Sequence, residues 1–188
     1  IGHADQYEKV LSGIDTSAWD AELDSPADVR AALGLDPRHR VVGTVARLAE
    51  LKGHEDLLEG MAGAMRSDPD LALLWVGDGR LQHQLLDRAR GLGIASQVHL
   101  AGLVTPAEIP RLHRAMDVLA HPSYREGLPR AVVQAMLSGL PVVTYDVDGA
   151  GEVCRDGETG RLVKVGEKDV LAETICEVYP RPDAAAAM

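Results

Sequence analysis

Short apolar runs rich in valine and leucine recur along the chain from about residue 40, and each is predicted to form a strand. The runs are VVGTVA (41–46), LALLWVG (71–77), QVHLAG (97–102), MDVLAHP (116–122) and PVVTY (141–145). Their apolar residues are continuous rather than alternating, which is typical of strands that are buried on both faces. Such strands occur in parallel sheets covered by helices.

Amphipathic segments of helix length follow every run except the last. Apolar residues at helical spacing mark the first of these segments at Leu57, Leu58, Met61, Ala62 and Met65 and the second at Leu81, Leu85, Leu86 and Ala89. Thr105 to Glu108 predicts a capping box that starts a helix ending near Ala115, and Ser25-Pro26 predicts the start of a short helix that stops at Gly34. We therefore expect an α/β fold, a doubly wound, mostly parallel Rossmann-like sheet with helices on both faces.

Composition and charge exclude several classes of function. The net charge is −10 and aromatic residues make up 3% of the chain, with no Phe. An acidic chain with few aromatic residues is a poor candidate for coating phosphate backbones or stacking bases, so no nucleic-acid partner is expected. A local basic cluster could still hold one small anionic ligand.

The cysteines, the histidines and the apolar stretches bear on cellular location and on metal binding. Cys154 and Cys176 fit reduced thiols of a cytoplasmic protein, although one opportunistic disulfide stays open. No apolar stretch is long enough to span a bilayer. The seven histidines lack metal-ligand spacing, so no metal site is expected, and His99 and His121 are interpreted as core or rim residues of strands.

The loop after the first predicted strand, ARLAELKG, is a candidate phosphate site. It places Arg47 and Lys52 just before a helix that begins near His54. Two cations beside the free N–H groups of a helix N-terminus favour the binding of an anion. An equally good interpretation is that both are ordinary solvated surface cations. The chain contains no GxxxxGK[ST] phosphate-binding loop.

The loop after the second predicted strand, VGDGRL, carries Gly77 and Gly79. These glycines permit a tight turn and a close backbone approach by a ligand. A dinucleotide fingerprint needs a third glycine where Gln82 stands, so nothing supports a bound NAD or FAD cofactor.

The loop after the fourth predicted strand carries Glu126, Gly127 and Leu128 ahead of a helix. A carboxylate there could accept hydrogen bonds from sugar hydroxyls beside free backbone N–H groups, or it could merely cap the helix. If Glu126 and Gln134 shared one helix they would stand about 12 Å apart, at about 1.5 Å per residue. That is too far for a glycosidase carboxylate pair, which needs about 5 to 9.5 Å, and an amide cannot ionise. The spacing fits two contacts on one long ligand.

Together these segments resemble the C-terminal, donor-binding domain of the retaining glycosyltransferases of family 4, which have the GT-B fold. The matching stretches are ARLAELKG, VGDGRL, QVHLAGLV, EGLPRAVVQAMLSGLPVV and GEVCRDGETGRLV, in the family's order, over about residues 40–178. KVLSGIDTSAW resembles the family's interdomain connection, with Ser12 at a position where the family usually has Asn.

The resemblance implies a role for each matching residue. Arg47 and Lys52 would neutralise the donor diphosphate, and Glu126 would contact the sugar hydroxyls. The amides of Gly127 and Leu128 would lie near the phosphate or sugar. Gln134 occupies the second acidic position of the family's E-x7-E pattern, which holds the ribose hydroxyls, so its contact there would lack a charge.

The resemblance also implies a domain organisation and partners. Residues 1–38 would form the interdomain connection and first helix, 39–180 the donor-binding domain and 181–188 a flexible tail. The chain would be half of an enzyme that uses a UDP- or GDP-linked sugar without a cofactor. On its own it would bind nucleotide but would be inactive in sugar transfer. A saccharide or lipid-linked acceptor would bind a missing N-terminal domain, whose contact with the cytoplasmic face of the membrane stays open.

Two alternatives remain at this point. The first is another GT-B enzyme, such as a nucleotide-sugar epimerase or a phosphorylase, although the chain shows no motif of either that we recognise. The second is a non-catalytic nucleotide-binding or interaction module, which Gln134 and the missing half of the enzyme keep open.

Overall fold

The computed structural model describes residues 13–21 and 23–178. The strands are β1 (Arg40–Val45), β2 (Leu71–Val76), β3 (Val98–Gly102), β4 (Val118–His121), β5 (Val142–Tyr145) and β6 (Arg161–Val163). The α-helices are α1 (Pro26–Ala32), α2 (His54–Ser67), α3 (Gln82–Leu92), α4 (Ile109–His113), α5 (Arg130–Leu137), α6 (Ala150–Val153) and α7 (Lys168–Val178). The predicted tail (181–188) and Ser12 lie outside the described residues.

The six strands form one sheet in the order β3-β2-β1-β4-β5-β6. Each neighbouring pair runs parallel, from Leu73 beside Val98 at one edge to Tyr145 beside Val163 at the other. The predicted doubly wound sheet is therefore confirmed. The strand order reverses between β1 and β4, and the loops that leave these two strands face each other across a crevice at the carboxyl edge.

Helices cover both faces of the sheet. On one face, α2, α3 and α7 contribute Leu57, Leu85 and Ile175 to an apolar cluster that also contains Trp75 of β2. On the other face, α1, α4 and α5 contribute Val29, Leu112 and Val132 to a second apolar cluster. All six residues of β2 are buried, as a continuous apolar run predicts for a strand that is covered on both sides.

The predicted helix starts have the expected capping contacts. The Ser25 hydroxyl accepts a hydrogen bond from the Asp28 N–H at 3.1 Å, and Pro26 occupies the first turn of α1. The Thr105 N–H donates to the Glu108 carboxylate at 2.8 Å, which closes the predicted capping box. That box begins a 3-10 turn over Pro106–Glu108, which leads into α4.

The sixth strand was not predicted from the sequence. β6 has three residues and pairs with β5 through Val143–Arg161, Thr144–Leu162 and Tyr145–Val163. Only two of its residues are apolar, so it forms no run that a sequence pattern could reveal. The short helix α6 precedes it along the chain. Among the described residues, no helix has the length and apolar character needed to cross a bilayer.

Candidate functional site

Glu126 lies at the centre of a cluster that joins the loops after β1 and β4. Lys52 Nζ lies 2.6 Å from Glu126 Oε1, and His121 Nε2 lies 3.1 Å from the same oxygen. The side chains of Lys52, Glu126 and His121 are only 21%, 15% and 5% exposed. A largely buried ion pair thus stands where the strand order reverses, at the place where α/β sheets bind their ligands.

The Glu126 carboxyl is ionised at neutral pH. Burial raises its pKa, but hydrogen bonds with His121, Lys52 and Ser123 outweigh burial and lower the pKa to about 2. An ionised carboxylate only accepts hydrogen bonds, so the imidazole of His121 must donate from Nε2. The charge on Glu126 therefore fixes which ring nitrogen of His121 carries a proton.

Backbone contacts hold the two loops in register. The Leu51 carbonyl accepts hydrogen bonds from the Tyr124 N–H at 2.8 Å and from the Ser123 hydroxyl at 3.0 Å. Leu51 itself adopts a left-handed conformation, with φ of 64°. A Cβ on Gly53 would stand 1.9 Å from the Pro122 carbonyl oxygen, so only glycine permits this close approach. These contacts flank Lys52 on both sides and direct it to Glu126.

His54 lies beneath this cluster, in the first turn of α2. Its ring packs edge-on against Trp75, with 5.3 Å between the ring centres, and neither ring nitrogen has a hydrogen-bond partner in the part of the chain that the structure describes. Burial is the main cause that lowers the pKa of His54 to about 4, and the nearby Lys52 charge acts in the same direction. A neutral imidazole therefore separates the site from the core.

Arg47 is positioned differently from Lys52, although both leave the loop after β1. Its side chain is exposed and makes no hydrogen bond or ion pair with any described residue. Of the two residues that are predicted to bind phosphate, Lys52 thus contacts Glu126, whereas Arg47 is exposed to solvent.

Gly77 and Gly79 bring the loop after β2 against the loop after β1. A Cβ would stand 2.2 Å from the Ala46 carbonyl oxygen if placed on Gly77, and 2.3 Å from that of Leu48 if placed on Gly79. The Leu48 N–H donates to the Asp78 carbonyl at 2.8 Å, which ties the loops together. Both glycines therefore shape the crevice, and their contact with a ligand stays a prediction.

The segment after Glu126 does not place Glu126 and Gln134 on one helix. Glu126 lies ahead of α5, which begins at Arg130, so Glu126 and Gln134 do not share a helix and the helical distance between them does not apply. Pro129 occupies the N-cap position of α5, where no side chain caps the helix. Glu126 is bound to Lys52 and His121 instead, so the capping alternative for Glu126 is wrong.

Three further residues that are predicted to contact a ligand lie in the loop after β4 or in the helix that follows it. Gly127 has open space where a Cβ would lie, and its carbonyl oxygen is so close to Gly149 that a Cβ there would stand 1.8 Å away. The loop after β5 thus closes against Gly127, next to Leu128. Gln134 is half-buried on α5. Contacts of Gly127, Leu128 and Gln134 with a ligand stay predictions.

His121 was not predicted as a site residue, because its place in a strand indicated a core or rim position. The residue is indeed buried at the end of β4, but its ring nitrogen is bound to Glu126. Its position could have identified it, because the last residue of a strand next to the strand-order reversal lies at the edge of the sheet where ligands bind.

In the described ranges, no group of three or more His, Cys, Asp or Glu residues is arranged to hold a metal ion.

Comparison with known proteins gives a consistent set of matches. The family model described as glycosyl transferases group 1 matches residues 27–188. The D-inositol 3-phosphate glycosyltransferase of Segniliparus rotundus is 32% identical over all of this chain and 44% of its own length. The GDP-mannose-dependent alpha-(1-6)-phosphatidylinositol monomannoside mannosyltransferase of Mycolicibacterium smegmatis is 31% identical over all of this chain and 51% of its own length.

Solved structures also match this chain over most of its length. The crystal structure of Anabaena HepE in complex with UDP and glucose superposes with a TM-score of 0.80 at 32% sequence identity. The match covers 94% of this chain and 48% of HepE. A HepE complex with UDP-glucose superposes with a TM-score of 0.81. The chain thus spans about half the length of the relatives that it matches.

Proposed function

Because this chain belongs to the group 1 glycosyl transferases, we propose that it binds the nucleoside-diphosphate sugar donor of a glycosyl transfer reaction. The observation that carries the proposal is the Lys52–Glu126 pair at the crevice where the strand order reverses. A cation suited to phosphate and a carboxylate suited to sugar hydroxyls stand side by side there.

In the proposed complex, each residue of the site serves one part of the donor. Arg47 and Lys52 neutralise the diphosphate, and Glu126 accepts hydrogen bonds from the sugar hydroxyls. Backbone groups at Gly77, Gly79, Gly127 and Leu128 line the phosphate and sugar, and Gln134 binds the ribose hydroxyls. The amide of Gln134 can donate and accept such bonds, but more weakly than a carboxylate.

The proposed chemistry needs positive charge at the leaving group. Transfer breaks the bond between the anomeric carbon of the sugar and the diphosphate, and negative charge develops on the departing oxygen. Fixed cations stabilise that charge without reorganising during the reaction. Lys52 is held beside Glu126 before any ligand arrives, so the carboxylate and the ammonium both lie at the site that the donor enters.

The acceptor belongs to another part of the protein in this proposal. A saccharide or lipid-linked acceptor binds an N-terminal domain, residues 39–180 form the donor domain, and residues 1–38 form the connection and first helix. The coverage of about half of the relatives' length supports a further part of the protein that holds the acceptor. Cys154 and Cys176 are free thiols, which supports a cytoplasmic location.

The donor base is proposed to be uracil or guanine. HepE is 32% identical to this chain and its structures contain UDP, glucose or UDP-glucose, while the mannosyltransferase relative is named as GDP-mannose-dependent. UDP with UDP-glucose and GDP with GDP-mannose are therefore the two ligand pairs to compare.

Calorimetry of these pairs in the presence of EDTA tests the proposal. We expect at least one nucleoside diphosphate to bind without metal, and its sugar conjugate to bind more tightly. Glu126→Ala should erase the extra affinity of the sugar and leave the bare diphosphate unchanged or slightly tighter, since a nearby negative charge is removed. Glu158→Ala, which removes an exposed carboxylate paired with Arg155, is the matched control.

Two results would contradict the proposal. If chelation abolishes diphosphate binding, the metal-free site is wrong. If Glu126→Ala weakens the bare diphosphate and the sugar conjugate equally while the fold is intact, the assignment of Glu126 to the sugar is wrong.

A non-catalytic nucleotide-binding module is the second candidate, and Gln134 is the observation that favours it. An uncharged residue there weakens the expected ribose contact. Transfer from a labelled donor by the longer protein that contains this chain separates the two candidates, because a binding module gives no labelled product.

A further inference from the structure

We infer that His121 is a positioning residue that keeps the Glu126 carboxylate in place when Lys52 turns toward the diphosphate of the donor. The inference rests on the proposed function. It concerns a contact between β4 and the loop that follows it, which the family resemblance did not include.

Lys52 and His121 share one oxygen of the carboxylate. Lys52 Nζ and His121 Nε2 lie 2.6 Å and 3.1 Å from Glu126 Oε1. A bound diphosphate carries more negative charge than one carboxylate, so it competes for the Lys52 ammonium. Without His121, only Ser123 would remain as a donor, and its single hydroxyl proton is also directed at the Leu51 carbonyl. Glu126 would then be a largely buried carboxylate short of partners, which is unfavourable.

His121 suits this role because its position depends on the sheet. It is the last residue of β4, its side chain is 5% exposed, and its backbone carbonyl accepts a hydrogen bond from the Thr144 hydroxyl of β5 at 2.9 Å. Lys52, in contrast, extends from a loop on a flexible stem. His121 can therefore hold Glu126 whatever Lys52 binds.

The hydrogen bond also determines what a replacement must supply. Since Glu126 only accepts, His121 has to donate from Nε2. A glutamine amide can reach the position of Nε2, whereas the shorter asparagine amide reaches only that of Nδ1. His121→Gln and His121→Asn are thus a matched pair of neutral, polar variants that differ in whether the donor reaches Glu126.

Binding measurements on these variants test the inference. The sugar-dependent gain in affinity, the ratio of the Kd values for UDP and UDP-glucose or for GDP and GDP-mannose, should fall roughly tenfold in His121→Asn. It should return toward the wild-type ratio in His121→Gln. His99→Gln, which changes a half-buried histidine on β3, is the control and should leave the ratio unchanged. An unchanged ratio in His121→Asn overturns the inference.

Nuclear magnetic resonance on the wild-type chain does not depend on whether a variant folds. The nitrogen signals of His121 should show a proton on Nε2 both without ligand and with UDP bound. A bare Nε2 in either state overturns the inference.

The Glu126 pKa separates this inference from the proposed function. In the ligand-free chain it should rise in His121→Asn and return in His121→Gln, and a value unchanged in both overturns the inference even if nucleotides bind. If the pKa behaves as expected but no nucleoside diphosphate binds the wild type, the proposed function fails, and the inference that rests on it is overturned as well.

Discussion

Arg47 and Lys52 lie five residues apart in one loop, yet the structure treats them in opposite ways. Lys52 is mostly buried and bound to Glu126, whereas Arg47 is exposed and its side chain makes no hydrogen bond or ion pair with the described residues. The end of the loop that carries Lys52 is fixed by the Leu51 carbonyl and by the contact of Gly53 with Pro122. Its beginning has no such attachment to the loop after β4.

The difference indicates two ways of preparing a cation for an anionic ligand. Lys52 has lost its side-chain freedom on folding, but it must share its charge between Glu126 and a phosphate. Arg47 has its charge available and loses side-chain entropy when the ligand binds. We therefore expect similar losses of ligand affinity at the two positions and different losses of folding stability.

The largest expected effect is the dependence of stability on pH. The pKa of Glu126 is about 2 in the folded chain, below its ordinary value of 4.5. Its ionised form therefore stabilises the fold above about pH 4.5, and this contribution is lost as pH falls toward 2. Because one pKa unit corresponds to 1.36 kcal/mol, the contribution is at most about 3 kcal/mol.

Urea unfolding of the wild type and of Glu126→Gln between pH 7 and pH 3 measures this contribution. The wild type should be more stable at neutral pH, and the difference between the two proteins should shrink as the pH falls. A difference that stays constant across this range would contradict the assignment of the low pKa to Glu126.

The next effect is the comparison of Lys52→Ala with Arg47→Ala. Each change should weaken UDP or GDP binding by about tenfold to a hundredfold, the value of one charge-assisted contact of about 1.5–3 kcal/mol. Only Lys52→Ala should also lower the free energy of unfolding, because it leaves Glu126 largely buried without its cation. Calorimetry and urea unfolding measure the two quantities.

Arg90→Ala is the control for the loss of a cation, since Arg90 pairs with Asp87 on the exposed surface of α3. It should change neither quantity appreciably. If Lys52→Ala weakens ligand binding without any loss of stability, the Lys52–Glu126 pair contributes nothing to the fold. In that case the contrast with Arg47 disappears.

The smallest effect is expected at Gln134. Gln134→Glu should tighten nucleotide binding by less than about tenfold, because a charged acceptor strengthens the ribose hydrogen bonds while the diphosphate repels the new charge. Titration with the nucleoside alone removes that repulsion and should show a larger gain. Weaker binding of the nucleoside would show that Gln134 does not contact the ribose hydroxyls.

Local patterns predicted most of the fold. Each strand from β1 to β5 overlaps a continuous apolar run, and the predicted ends differ from the observed ones by at most two residues. The caps at Ser25 and Thr105 were also predicted, because a capping contact spans only three residues of chain. β6 was missed because pairing with β5 rather than its own three residues makes it a strand.

The sequence by itself determined which elements form and which loops lie at the carboxyl edge of the sheet, since hydrophobic periodicity and capping are local properties. It also singled out Lys52 and Glu126, but not their contact. Tertiary structure decided that contact, because 74 residues separate the two and only the pairing of β1 with β4 brings their loops together. It likewise decided that Glu126 binds His121 and not the start of α5. A hydrogen bond depends on where the side-chain atoms lie in space, and spacing along the chain does not fix that position.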